Sequence, residues 1–345
     1  MKQFGGKVTK ELKAIYEQSP NWKKGKFENL EETSMDINFQ SLPKLMYKQI
    51  FDTEGRMPKE NLPIQPFIKE EFLTPSEEAK IIWYGHSVVL MRINNKTILI
   101  DPMLGPDAAP IAPFASKRFS KDAQAVIDQL PEIDLMLLTH DHYDHLDLES
   151  IKQLKGKTKK YFAAIGVKRH LVSWAIPEED ITSFDWWDSE IFDDLQITFT
   201  PTRHFSGRGL TDRAKSLWGG WVIKSTTQNI WFSGDSGYGE HFKEIGNRLG
   251  PFDFAFMECG QYNENWHQIH MYPEESVKAA IDTNVTKVMA VHWAGFALAQ
   301  HHWAEPINRF SKEAAAKNLE LASPKIGQQF TVSAMPTSKW WQELS

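Results

Sequence analysis

The stretch His140-Asp141-His142-Tyr143-Asp144-His145 packs three histidines and two carboxylates able to bind metal into six residues. Imidazole nitrogens and carboxylate oxygens are the ligands that zinc and similar divalent ions take. Residues two apart in an extended loop project to the same side, so His140 and His142 can grip one ion, while Asp144 and His145, beyond the bend, reach a second. As a plain polar loop the stretch would waste hydrogen-bonding capacity and press the charged forms of its imidazoles against one another. Three later segments repeat one arrangement, a short apolar or β-branched run followed by a residue able to bind metal: Gln196 to Thr200 leads to His204, Ile230 to Phe232 leads to Asp235, and Val288 to Val291 leads to His292. Singly, each reads as a turn or capping residue. Together with the first cluster, they outline the rim of one site built from the ends of four strands in two sheets.

The elements that must position these residues follow from the apolar pattern. Ile133, Leu135, Met136, Leu137 and Leu138 predict a short buried strand that ends on the histidine cluster. Upstream, Ile81 to Tyr84, Val88 to Ile93, an Asn94-Asn95 turn suited to positive φ and Thr97 to Ile100 predict paired strands ending at Asp101-Pro102. A Pro/Ala-rich loop over 102–116 follows. Helices are expected at 121–130, over Leu148 to Leu154, and at 239–249, 273–283 and 304–317, where Pro273 and Pro306 suit the first helical turn. Strands alternating with helices in this way imply helices outside two packed sheets. Residues 1–75 form an arm with helical spacing at Val8, Leu12, Ile15 and Tyr16 and again at Leu42, Leu45, Met46, Ile50 and Phe51. The arm is expected to pack on the core. Its Lys23, Lys24 and Lys26, beside Trp22 and Phe27, give it a second reading, in which it rests on an anionic membrane surface or roofs the substrate cleft. The catalytic domain is placed at 76–335 and a C-terminal tail at 336–345.

Composition narrows the function classes. A chain of 345 residues with a formal net charge of -6 and a pI near 6.1 has no electrostatic footprint for nucleic acid, and a small-molecule or lipid substrate fits better. The single cysteine, Cys259, rules out an internal disulfide and fits a reducing compartment. The first residues have no apolar core for a signal peptide, and no apolar run is long enough to span a bilayer. The expectation is a cytoplasmic protein for which peripheral contact with the membrane stays open; nothing in the sequence indicates an oligomeric state.

With these residues assembled, the chain resembles the metallo-β-lactamase superfamily, whose H-x-H-x-D-H signature stands here at His140 to His145. Trp83-Tyr84-Gly85-His86-Ser87, Thr202-Arg203-His204-Phe205-Ser206, Leu217-Trp218-Gly219-Gly220, Gly234-Asp235-Ser236-Gly237-Tyr238, Gly250-Pro251-Phe252-Asp253 and His292-Trp293-Ala294-Gly295-Phe296-Ala297-Leu298 are similar to the branch of N-acyl-phosphatidylethanolamine-hydrolysing phospholipase D and its bacterial relatives. The similarity covers roughly residues 80 to 310. It implies an αββα four-layer sandwich, an α+β fold of two mixed β-sheets with helices outside, and a dinuclear zinc site. By the same resemblance His140, His142 and His204 take one zinc, Asp144, His145 and His292 the other, and Asp235 bridges them. Manganese or iron would suit the same ligands. The resemblance also puts His270 near a substrate phosphate and His86 in the second shell or the lining of the cleft. The chain departs from the phospholipases at Glu258-Cys259-Gly260-Gln261-Tyr262-Asn263-Glu264, where they carry a more apolar segment; Tyr262 joins His86 and His270 as an expected substrate contact, and Cys259 is read as a buried thiol at a strand end.

The function expected from this set is a zinc phosphodiesterase of phospholipase D type, acting on a glycerophospholipid or related diester by attack of a metal-bound hydroxide. Asp235, Asp144 and His270 are the expected catalytic groups, with Asp101 and Asp141 orienting ligand histidines from behind. Two rival readings are a lactone or ester hydrolase like the ascorbate-phosphate lactonases and a non-catalytic metal-binding module; fold alone does not separate the three.

Overall fold

The computed structural model describes residues 2–344 apart from 36–42, 44–46, 48–50, 52 and 109–115. Leu42, Leu45, Met46 and Ile50, which define the second helix expected in the arm, therefore lie outside the described residues, as do residues 109–115 of the Pro/Ala-rich loop. Two seven-stranded sheets make up the centre of the molecule. In one, Lys80–Trp83, Val89–Ile93 and Lys96–Ile100 form an antiparallel meander that continues in parallel through Ile133–Leu138, Thr158–Ala164 and Ile181–Phe184, with Gln329–Phe330 on the opposite edge. The other runs antiparallel through Ser189–Phe192, Leu195–Pro201, Gly219–Lys224 and Asn229–Phe232, then parallel through Phe254–Glu258, Lys287–Val291 and Glu320–Ala322. Central strands such as Asn229–Phe232 and Phe254–Glu258 are buried at every position. Burial on both faces is what a sheet packed between a second sheet and a layer of helices requires, and the architecture is the αββα sandwich.

Local chemistry explains the elements nearest the histidine cluster. Asp147 accepts a hydrogen bond from the Ser150 backbone N at 2.8 Å and so starts the helix Leu148–Leu154 immediately after the cluster. Asn94 and Asn95 take positive φ in the hairpin, at 47° and 60°. Pro273 begins Pro273–Asp282, where the Glu275 carboxylate accepts from the Tyr272 backbone N at 3.0 Å. The helix expected over 121–130 is shorter than its pattern: a 3-10 turn at Ala123–Ala125 runs into Val126–Gln129, and Pro131 holds Leu130 in an extended conformation.

The arm is anchored at several points. Thr9 caps Lys10–Tyr16, and Tyr16, Trp22 and Phe27 form an aromatic knot with centroids 4.9 to 5.8 Å apart. Farther along, Asn29 donates to the His204 carbonyl at 2.8 Å and accepts from the His204 N at 3.1 Å, and Arg203 donates to the Thr33 hydroxyl at 2.9 Å. The last ten residues, set apart in the sequence as a tail, belong instead to the core: Trp340 and Trp341 are buried and pack against Trp293, each with a centroid separation of 5.6 Å. Apolar area explains the difference, because two indoles left in water would forfeit a burial worth roughly 2–3 kcal/mol each.

Candidate metal centre

Four strand ends deliver the converging side chains. Ile133–Leu138 leads into His140, His142, Asp144 and His145; Leu195–Pro201 leads to His204, Asn229–Phe232 to Asp235 and Lys287–Val291 to His292. His86, Asp101 and His292 all take positive φ, at 53°, 42° and 66°. Such conformations are uncommon outside glycine and turn a side chain abruptly at the end of a strand. The His86 N donates to the Trp293 carbonyl at 2.8 Å and the His292 N to the His86 carbonyl at 3.0 Å, which laces the rims of the two sheets together beneath the cluster.

The donor atoms fall into two groups around one oxygen. His142 Nδ1 lies 3.0 Å from His140 Nε2 and 3.1 Å from His204 Nε2. Asp144 Oδ2 lies 3.5 Å from His145 Nε2 and 3.3 Å from His292 Nε2. Asp235 Oδ2 stands between the groups, 3.0 and 3.1 Å from the nitrogens of His145 and His292 and 3.8 and 3.9 Å from those of His140 and His204. Two nitrogens bonded at 2.0–2.1 Å to a tetrahedral ion are about 3.3 Å apart, so both groups have the spacing of a metal-ligand set.

Proton bookkeeping supports the same fit. His204 Nδ1 lies 2.9 Å from the Ile269 carbonyl, His145 Nδ1 2.8 Å from the Asp101 carboxylate and His292 Nδ1 3.3 Å from the Gly260 carbonyl. The Thr139 hydroxyl donates to Asp101 at 2.6 Å, leaving its oxygen to accept from His140 Nδ1 at 2.9 Å. Each of these four rings thus has its proton fixed on Nδ1 and presents Nε2 to the centre. His145 Nε2 is buried without a hydrogen-bond partner. Burial alone would push the Asp235 carboxyl up, but the charges of His145 and His292 outweigh it and hold it well below the usual carboxylate range. Burial likewise opposes charge on His292, which Asp235 and Asp144 nevertheless push up to about 10, whereas burial takes His142 down to about 4. The cluster therefore requires positive charge at its centre, and divalent cations supply it while using lone pairs that protons would block.

Several expected roles change in the structure. Of the two places expected for His86, the structure shows the one beside a ligand: it is buried among His145 and His292, and its Nε2 lies 2.9 Å from Asp144 Oδ2, which it orients. Tyr262 is not at the donor cluster, because its hydroxyl is committed to Glu305 at 2.6 Å and its ring stacks on His301. Asp101 orients His145, but Asp141 touches none of the seven converging side chains. It accepts instead from Ser216 Oγ at 2.6 Å and Gly207 N at 2.7 Å, beside Arg169 and His170. Cys259 is buried and lies in none of the candidate ligand groups. His270 does border the centre, one of its ligand atoms lying within 4.8 Å of those of His204 and Asp235.

Two contributors escaped the sequence reading. Glu258, fully buried, holds His270 Nδ1 at 2.7 Å and accepts from the Ser236 backbone N. An acid ending the otherwise apolar Phe254-Ala255-Phe256-Met257 was the available signal, the same signal that marks Asp235. Arg208 staples the histidine loop: its buried guanidinium donates to the carbonyls of Asp141 and Leu146, both at 2.7 Å, and lies 4.0 Å over the Tyr143 ring. Its Nε donates to the Gln3 carbonyl at 2.9 Å, while Arg169 Nε and Trp174 Nε1 hold the carbonyls of Gly6 and Lys2. Nothing in local sequence pairs an arginine at 208 with a carbonyl at 3.

Buried neutral histidines predict an acid limb to stability. Burial and the nearby charge of Arg203 lower His241 to about 3, and burial with the charge of Arg169 lowers His170 to about 4. Below the unfolded value near 6.5 the unfolded chain binds the extra protons, so this stability is present above pH 6.5 and is lost as pH falls toward 4. Chemical denaturation of the metal-free protein is expected to show a loss of roughly 2 kcal/mol per histidine between pH 6.5 and 5; a flat profile would mean that these rings are solvated in the fold.

A family profile described as Beta-lactamase superfamily domain matches residues 96–293. The chain is 33% identical over 338 residues to an uncharacterized protein of Mycobacterium tuberculosis, covering 96% of this chain and 90% of that protein. It is 27% identical over 278 residues to N-acyl-phosphatidylethanolamine-hydrolyzing phospholipase D 1 of Caenorhabditis elegans, covering 77% of this chain and 76% of that one. Among solved structures it superposes on Igni18, a metallo hydrolase from Ignicoccus hospitalis, with a TM-score of 0.56 at 19% identity over 73% of this chain and 97% of the other. That last likeness is one of fold.

Proposed function

Because the chain belongs to the metallo-β-lactamase superfamily and is a metal-dependent hydrolase of it, we propose that it cleaves a phosphodiester, in the manner of a phospholipase D, at a centre holding two metal ions. The observation that carries this reading is the position of Asp235 Oδ2 between two sets of donors, with nitrogens 3.0 and 3.1 Å away on one side and 3.8 and 3.9 Å on the other. In it His140, His142 and His204 hold one ion, Asp144, His145 and His292 the other, and Asp235 is shared. When bound, such a pair supplies Lewis acidity and water activated near neutral pH, and clamps both ends of an in-line displacement. Nitrogen and carboxylate donors suit zinc, and manganese or iron as well.

The chain's own residues do the rest. His86 and Asp101 fix the orientation of Asp144 and His145, so the donors need little reorganisation. Glu258 holds His270 through Nδ1, which leaves Nε2 of a partly exposed ring for contact with the substrate. The similarity to phospholipases D favours a glycerophospholipid or a related diester as substrate.

The test is turnover of the metal-loaded protein on matched phosphodiester and lactone substrates. Phosphodiester cleavage that falls in His270→Ala more than binding of metal does is the expected result. Ready lactone opening with no diester cleavage, and a rate indifferent to His270→Ala, would replace this reading with that of a lactonase.

A further inference from the structure

Beside the centre, the arm and the segment after His204 enclose a cavity of about 590 Å³. Lys23, Lys24, Lys26 and Arg213 line it together with His204 and Phe205. The Phe205 ring packs edge-on against His142, 4.4 Å between centroids, and the Arg213 guanidinium lies 4.1 Å over the same ring. One aromatic ring therefore separates a candidate metal ligand from a cation.

Four cations and three carboxylates, Glu28, Glu31 and Glu32, line the cavity, which leaves it one net positive charge. Among the described residues Lys23, Lys24 and Arg213 have no ion pair, and the hydrogen bond of Arg213 Nη2 is to the soft sulfur of Met35, 3.8 Å away. Of the acids, Glu28 lies 4.0 Å from Lys26 and Glu31 accepts from the Glu240 backbone N at 2.9 Å, so neither pairs with Arg213; Glu32 lines the wall and is exposed. The wall itself is pinned, since Asn29 binds both the His204 N and carbonyl and accepts from Trp218 Nε1 at 2.9 Å. A guanidinium spread on an aromatic face keeps its edge free for a planar anion.

We propose that this cavity is a subsite for a second anionic group, a carboxylate or phosphate carried on the head of the substrate, with Arg213 as its specificity-determining contact. The proposal rests on the phosphodiester reading above, in which the first anion sits at the metal centre. A substrate with two anionic groups a few bonds apart then spans Phe205, one group on each side of the ring. A neutral or cationic head gains nothing from the cavity.

Calorimetric titration of the full-length, metal-loaded protein with 3-phosphoglycerate and with glycerol 3-phosphate tests this, because the two ligands share the phosphate and differ in the carboxylate. The wild type is expected to bind 3-phosphoglycerate about tenfold tighter, the usual worth of a charge-assisted hydrogen bond. Arg213→Gln should bring that ratio close to one, and Arg213→Lys should keep part of it. Arg213 is exposed, so neither change threatens the fold. A preference that survives Arg213→Gln would put the carboxylate on the metals and overturn the subsite, as would a wild type without preference or an Arg213→Gln that weakens both ligands equally. Turnover plays no part in the measurement. A wild type that cleaves no phosphodiester thus removes the reaction assigned above, while the ratio still decides the subsite.

Discussion

Asp235→Asn is expected to lower turnover by well over a hundredfold and to reduce the metal content from two ions per chain toward one. The carboxylate oxygen faces the nitrogens of four histidines, and it is the charge that those rings and any bound cations share. Asparagine keeps the shape and loses the charge. Residues that merely orient metal ligands typically cost about 10–100-fold when replaced, so a group common to both donor sets should cost more. The fold should survive, because Asp235 follows the strand Asn229–Phe232 and packs within no apolar cluster. Steady-state kinetics and elemental analysis read the two effects together. Retention of both ions with normal turnover would show that Asp235 bridges nothing.

Arg208→Leu carries the second large effect, on stability as well as on metal binding. The substitution leaves the Asp141 and Leu146 carbonyls buried without their donor and removes the cation beside Tyr143. Each orphaned acceptor costs about 1–3 kcal/mol, and the lost cation–π contact with Tyr143 about 2 kcal/mol. The loop between those carbonyls carries His142, Asp144 and His145, so the affinity for metal should drop with it. Denaturant melts of the metal-free protein separate the stability loss from the metal loss measured by chelator competition. Equal melts for variant and wild type would mean that water replaces the guanidinium without penalty.

The residues that converge were visible because one dense His/Asp cluster follows Ile133–Leu138, while His204, Asp235 and His292 each follow a short apolar or β-branched run; their division into two sets came from the resemblance. The two-sheet sandwich was legible for the same reason, together with the resemblance carried by the histidine motif. What local pattern does not contain is the partner of a buried polar group. Glu258 meets His270 only because Phe254–Glu258 pairs with both Asn229–Phe232 and Lys287–Val291. For His86 the resemblance left two places open, behind a ligand or in the cleft, because a histidine after a strand reads the same from either side; in the structure its ring lies against Asp144. Tyr262 looked available for substrate since its hydroxyl's acceptor, Glu305, is supplied by a helix 43 residues on. Trp340 and Trp341 looked peripheral because nothing near them in the chain reveals Trp293 as their neighbour.

The clamp on residues 2–6 also sets an order of assembly. During synthesis the carbonyls of Lys2, Gln3 and Gly6 emerge well before their donors, which lie 172, 205 and 163 residues later in the chain. At 5–20 residues per second the segment waits roughly 10–40 s for Arg208, and His292 arrives later still. Closing loops of that length is slow and must precede any reward from the contacts. Residues 2–6 can thus dock only once the chain through Arg208 has emerged, and the histidine loop emerges before the arginine that braces it. A complete donor set, which includes His292, therefore exists only after most of the chain has been made.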